Sequence, residues 1–148
     1  MKAFNPSEII NLLNTHAIDY VIVGGIAAAI HGGSAETYLL SISYDRTDAN
    51  SERLADALRE INARPRGDFR DLPYVASADD LRDADTARFV TDYGDFDCIG
   101  ALPREVDYNE MRARSLVVDS AANSPFHVCS VDDFFVLKRA LGHPGLIS

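Results

Sequence analysis

The sequence predicts an α/β (α+β) fold, a mixed β-sheet flanked by helices, in a single domain over residues 1–148. Three observations lead there. Strand-like apolar runs alternate with amphipathic helical segments between Pro6 and Ile61. A hairpin pattern then appears between Ala87 and Ile99. No internal repeat or linker divides the chain, so one core is expected to serve all of it.

The first helix is signalled by Asn5-Pro6-Ser7-Glu8. Asn5 suits the N-cap, Pro6 the first helical position, and Glu8 the reciprocal position of a capping box. Ile9, Ile10, Leu12, Leu13 and Ala17 supply its apolar face. A buried strand follows, Tyr20 to Val23, running directly into Gly24-Gly25. Ile26 to Ile30 reads as a short helix stopped by Gly32-Gly33. Tyr38 to Tyr44, rich in aromatic and branched residues, predicts the second strand. Asp48 is expected to cap the next helix, with Leu54, Leu58 and Ile61 at helical spacing.

Arg64 to Pro73 reads as a loop, and Asp79 to Ala84 as a short turn or helix. The hairpin is expected to pair Ala87–Asp92 with Asp95–Ile99 around a turn at Tyr93-Gly94. Tyr108 to Arg114 is weakly helical, and Ser115–Asp119 and Phe126–Cys129 are strands. Ser130 then caps a last helix ending near Gly142, with Asp133 in the capping-box position.

Composition narrows the function classes. Lys and Arg number 14 against 23 Asp and Glu, a net charge of −9. That balance argues against a nucleic-acid partner gripped through its phosphates. Six arginines gather between Arg46 and Arg70, but carboxylates are interleaved with them, as on a solvated helix face. No apolar run is long enough for a membrane span, and the start of the chain lacks the pattern of a signal peptide. Cys98 and Cys129 lie in apolar runs and read as buried free thiols in a reducing cytoplasm.

The chemistry centres on strand, Gly-Gly, short helix, strand. Glycines after a strand let a ligand approach the backbone closely, although such a pair is more often just a tight turn. The wider pattern is more specific. Tyr20 to Ser34 resembles the opening of the nucleotidyltransferase superfamily, especially the small toxin-like branch related to AbiEii and MenT proteins. The resemblance continues at Tyr44-Asp45-Arg46-Thr47, at Tyr93 to Asp97, and at Ser130 to Asp133 ahead of Lys138-Arg139.

The resemblance implies a nucleotidyltransferase-like fold, a nucleoside triphosphate as ligand and Mg²⁺ as cofactor. Two alternating carboxylates on the second strand, and a third from a later strand, would hold the metal. Residues at i and i+2 of a strand share a face, which explains the spacing. The two acidic positions fall on Leu39 and Ser41, and the arginine usual before that threonine is Ala35. Leucine cannot bind a hard cation, and a serine hydroxyl is a poor substitute for a carboxylate. Of the trio only Asp97 remains, with Asp95 on the same strand face as weak help, so any Mg²⁺ site is expected to be weak. Asp45 lies about 13 Å along the strand from position 41, too far to substitute.

By the same resemblance Gly24, Gly25, Ser34 and Lys138 are expected at a nucleotide, and Lys138 is expected to face inward from the last helix. The competing reading has the lysine stem packing and its amine reaching water. His31 reads as a helix C-terminal residue, and His16, His127 and His143 show no metal-ligand spacing. Three functions follow as alternatives. The lost carboxylates favour a catalytically impaired relative that keeps a nucleotide- or partner-binding cleft. An active toxin-type enzyme would transfer a nucleotide to RNA or protein. A non-enzymatic half of a toxin–antitoxin pair would meet a basic protein partner through its acidic surface, and a homo-oligomer is the other protein partner considered. Relatives continue past Ser148 with acidic helical sequence, which suggests a truncated form or a chain completed by a partner.

Overall fold

The computed structural model describes residues 3–33, 37–67, 73–120 and 123–141. Helix α1 spans Pro6–Thr15, and Asn5 caps it by accepting from the Glu8 N–H at 3.3 Å. The capping box is not closed by Glu8. The Asn5 N–H instead donates to the Tyr93 carbonyl at 2.9 Å, tying the helix start to a hairpin turn. Ile9, Ile10 and Leu13 are buried, whereas Ala17 is exposed beyond the helix at φ +56. Ile18 fills the core there instead.

Strand β1 (Tyr20–Val23) is buried along its whole length. Helix α2 (Gly24–Ile30) starts at the two glycines rather than after them. Strand β2 (Leu39–Tyr44) leads to α3 (Asp48–Glu60), capped by Thr47 accepting from Asn50 N–H at 3.4 Å, not by Asp48. The expected Arg64–Pro73 loop begins with a short strand, β3 (Arg64–Pro65). Then come α4 (Ala78–Asp83), β4 (Thr86–Thr91), β5 (Gly94–Ile99), α5 (Tyr108–Arg114), β6 (Leu116–Ser120), β7 (Asn123–Val128) and α6 (Val131–Leu141).

Among the described residues, seven strands form one sheet in the order β3-β4-β5-β2-β1-β7-β6. Pairing is parallel for β2 with β5 and for β1 with β7, and antiparallel for the other neighbours. This is the mixed sheet that early βαβ-like alternation followed by a hairpin implies. Large apolar side chains of Leu40, Ile42, Leu54, Leu58 and Phe96 are fully buried, joining sheet and helices in one core.

The hairpin turns at Asp92-Tyr93, one residue earlier than expected, with Gly94 already paired to Thr91. Gly94 has φ +108, and a Cβ there would lie 2.7 Å from the Phe4 ring and 3.1 Å from its Cα. Only glycine meets both demands. The chain start therefore packs on the hairpin because this position carries no side chain.

Asn50 is 1% exposed and clamps the sheet end opposite Gly24. Its Oδ1 accepts from Asp19 N–H at 2.7 Å, while Nδ2 donates to the carbonyls of Asp19 and Asp45 at 3.0 and 2.7 Å. Asn50→Ala leaves buried backbone groups without partners. It is expected to cost about 2 kcal/mol in urea-unfolding free energy. An unchanged midpoint would mean that water replaces the amide.

Cys98 and Cys129 are buried free thiols, as expected. Burial pushes both upward in pKa, Cys129 to about 12. His31 closes α2, its Nε2 lying 2.7 Å from the Cys129 carbonyl.

Candidate functional site

Two lateral rows of side chains define the site. Residues paired across neighbouring strands point to the same sheet face. Val23, Ser41, Asp97 and Arg88 form one row across β1, β2, β5 and β4. Leu39, Asp95, Val90 and Arg64 form the next, across β2, β5, β4 and β3. Leu39 and Ser41 thus share a face with Asp95 and Asp97. The row of Ser41 ends at Val23, immediately before Gly24.

Asp97 is fully buried. Its Oδ1 accepts from Arg66 Nη2 at 2.6 Å. Arg66 follows β3, and its backbone N–H donates to the Arg88 carbonyl at 3.0 Å. A further guanidinium hydrogen bond runs to the Phe89 carbonyl at 3.3 Å, and Asp95 Oδ2 lies 3.8 Å away. Arg88 Nε remains 3.9 Å from Asp97 Oδ2, beyond hydrogen-bonding reach. That oxygen, Ser41 Oγ and Ser43 Oγ are buried without hydrogen-bond partners. Burial raises the Asp97 pKa, while the charge and hydrogen bond of Arg66, and the charge of Arg88, pull the other way.

This donor set does not fit Mg²⁺. Leu39 offers only hydrocarbon, Ser41 a neutral hydroxyl, and one Asp97 oxygen already holds a guanidinium. Among the described residues, no group of three or more His, Cys, Asp or Glu side chains is placed to hold a metal ion. The position where a cation would offset Asp97 is taken by the chain's own Arg66.

Gly24 and Gly25 are buried at the start of α2, and Gly24 adopts φ +71, open to glycine at no steric cost. Ser34 and Ala35 lie outside the described residues, as does the chain after Leu141. Lys138 does not face inward: it is exposed, while Phe134 and Leu137 fill the buried stripe of α6. The inward positions recur at 134 and 137, and residue 138 falls past their edge. Asp133 does not complete a capping box either. Ser130 Oγ accepts its N–H at 3.1 Å, and its carboxylate takes two hydrogen bonds from Arg114 at 2.9 and 3.1 Å.

Sequence reasoning missed Arg66 and Arg88. Arg88 was accessible through the hairpin. Placing the turn at Tyr93-Gly94 pairs Arg88 with Ile99, whereas the observed turn pairs it with Asp97. Arg66 sits in a Pro-Arg-Gly stretch read as loop, and no local pattern announces its partner.

No protein-family model and no curated protein matches the sequence. A solved structure does resemble it: a Thermotoga maritima protein provisionally named a nucleotidyltransferase, at 15% identity and TM-score 0.61. The match covers 95% of this chain and 88% of that one. At such low identity the likeness speaks for architecture alone. The mixed sheet, the Gly-Gly helix start and the whole-chain superposition together make this a nucleotidyltransferase-like fold.

Proposed function

We propose that this chain is a single-domain member of the nucleotidyltransferase superfamily that has lost metal-dependent catalysis and keeps its cleft for binding. The observation that carries the reading is the Arg66–Asp97 pair facing Ser41 and Leu39. Among the described residues, a triphosphate approaching this cleft meets no arrangement of carboxylates able to hold Mg²⁺ on both the nucleotide and the attacking group. The ligand is held by groups of the chain itself, with the metal contributing little.

Isothermal titration with the four nucleoside triphosphates, in Mg²⁺ and in EDTA, tests this. Weak binding or none is expected, changing less than about twofold with metal, because Arg66 already holds the Asp97 oxygen that would couple the two. Tight binding that requires Mg²⁺, or incorporation of labelled nucleotide into RNA or protein, overturns the reading.

A protein partner is a second reading. Leu116 and Val117 are 47% and 55% exposed on β6, which ends the sheet. Apolar side chains on an edge strand favour pairing with another chain. The toxin–antitoxin assignment rests on the sequence resemblance and is tested by co-purification with a neighbouring gene product.

A further inference from the structure

We propose that the recess between the end of α2 and the start of α6 binds a small neutral aromatic molecule, two fused rings carrying one ring N–H. This place is distinct from the cleft at Gly24. The seven residues of α2 separate the two by about 10 Å along the helix, so the outcome here is independent of the metal-free reading.

Size and lining set the chemistry. The recess has a volume of about 270 Å³, just under the range of about 300–1,000 Å³ typical of drug-sized ligands, so it admits a molecule of one or two rings. Ala28, Gly33, Val131, Phe134 and Phe135 offer carbon surface, and His31 is the one polar side chain among the described lining residues. No carboxylate, ammonium or guanidinium is among them. A charged ligand would give up its hydration there with no opposite charge to replace it. One wall is bare backbone: the Gly33 N–H donates to the Ala28 carbonyl at 2.7 Å, and a Cβ on Gly33 would lie 2.8 Å from that oxygen.

The rings favour an aromatic over an aliphatic occupant. Phe134 and Phe135 sit edge to face, with centroids 5.5 Å apart and planes at 74°. Phe134 is buried, whereas Phe135 is 48% exposed and keeps ring surface open for a third ring. His31 supplies the polar contact. Its Nε2 lies 2.7 Å from the Cys129 carbonyl, which only accepts, so Nε2 carries the proton of the neutral imidazole. Nδ1 is then a lone-pair acceptor, and no described residue donates to it. A ring N–H is the matching donor.

Equilibrium dialysis against indole tests the site, read by indole fluorescence because the chain contains no tryptophan. Saturable one-to-one binding is expected. Ala28→Leu fills the recess from α2 and should abolish it. Phe135→Ala, at an exposed position, should weaken it about tenfold through lost ring contact and covered area. 1-Methylindole lacks the donor and should bind about fivefold more weakly. Leu116→Ala, which removes an exposed apolar side chain on β6, should leave binding unchanged. Equal melting temperatures show that the variants fold, and Phe135→Ala decides alone should Ala28→Leu melt lower. Uptake that rises without saturating, or Phe135→Ala binding like the parent, overturns the site. Equal affinity for indole and 1-methylindole overturns the ring N–H and with it the ligand class.

Discussion

Arg66→Met should destabilise the protein by about 3 kcal/mol at pH 7, because it leaves the fully buried Asp97 carboxylate without its compensating charge. For a chain of this size that corresponds to a fall in Tm of about 6–12 °C. The loss should shrink in acid, and the sign follows from linkage. Asp97 titrates above the ordinary carboxylate range in the folded protein, so the folded state takes up its proton more readily than the unfolded chain. Its contribution to stability therefore falls as pH rises, starting near the unfolded value of about 3.9 and ending at the raised folded value. Arg66 limits that rise, and removing it extends the window upward.

Urea unfolding of parent and variant at pH 4.5 and 7 gives the comparison. Equal losses at the two pH values would mean that Arg66 acts by packing rather than by charge. The double variant with Asp97→Asn should recover most of the deficit at pH 7, since the carboxamide removes the uncompensated charge and a double-mutant cycle isolates the coupling.

The second large effect concerns building a cation site. Leu39→Asp with Ser41→Asp places new carboxylates in the two rows that carry Asp95 and Asp97. Leu39 is half-buried and tolerates the change, but Ser41 is 1% exposed. A carboxylate there, beside Asp97, should cost about 3–5 kcal/mol, softened by Arg66. With Arg66 present the guanidinium competes for Asp97, and Mn²⁺ should raise Tm little. Adding Arg66→Met removes the competitor. The triple variant should then melt far below the parent in EDTA and gain about 5–10 °C at a metal concentration of 100 times Kd. A folded triple variant with no Mn²⁺ response would show that the two rows do not converge closely enough for one ion to bridge them.

Much of this was legible in the chain because it is local. The strand Leu39–Tyr44, the alternation of Leu39 with Ser41, and that of Asp95 with Asp97 follow from a period of two. The Asn5 and Ser130 caps also depend only on near neighbours. Failures occur where a remote group wins. Glu8 does not complete a box because the Tyr93 carbonyl already takes the Asn5 N–H. Asp133 is diverted from its capping position by Arg114. The hairpin register moved because Gly94, held free of a side chain by Phe4, enters the strand instead of the turn.

The sequence by itself determined the alternating elements, the placement of glycine at the head of α2, and the uncharged pair Leu39 and Ser41 on one face of β2. Only the tertiary structure decided how the buried Asp97 is compensated. Arg66 reaches Asp97 across 31 positions of chain through a short edge strand, and neither periodicity nor capping records such a pairing. A buried carboxylate requires a positive partner or a proton wherever the fold places it, and the sheet order, not the local sequence, set which arginine would answer.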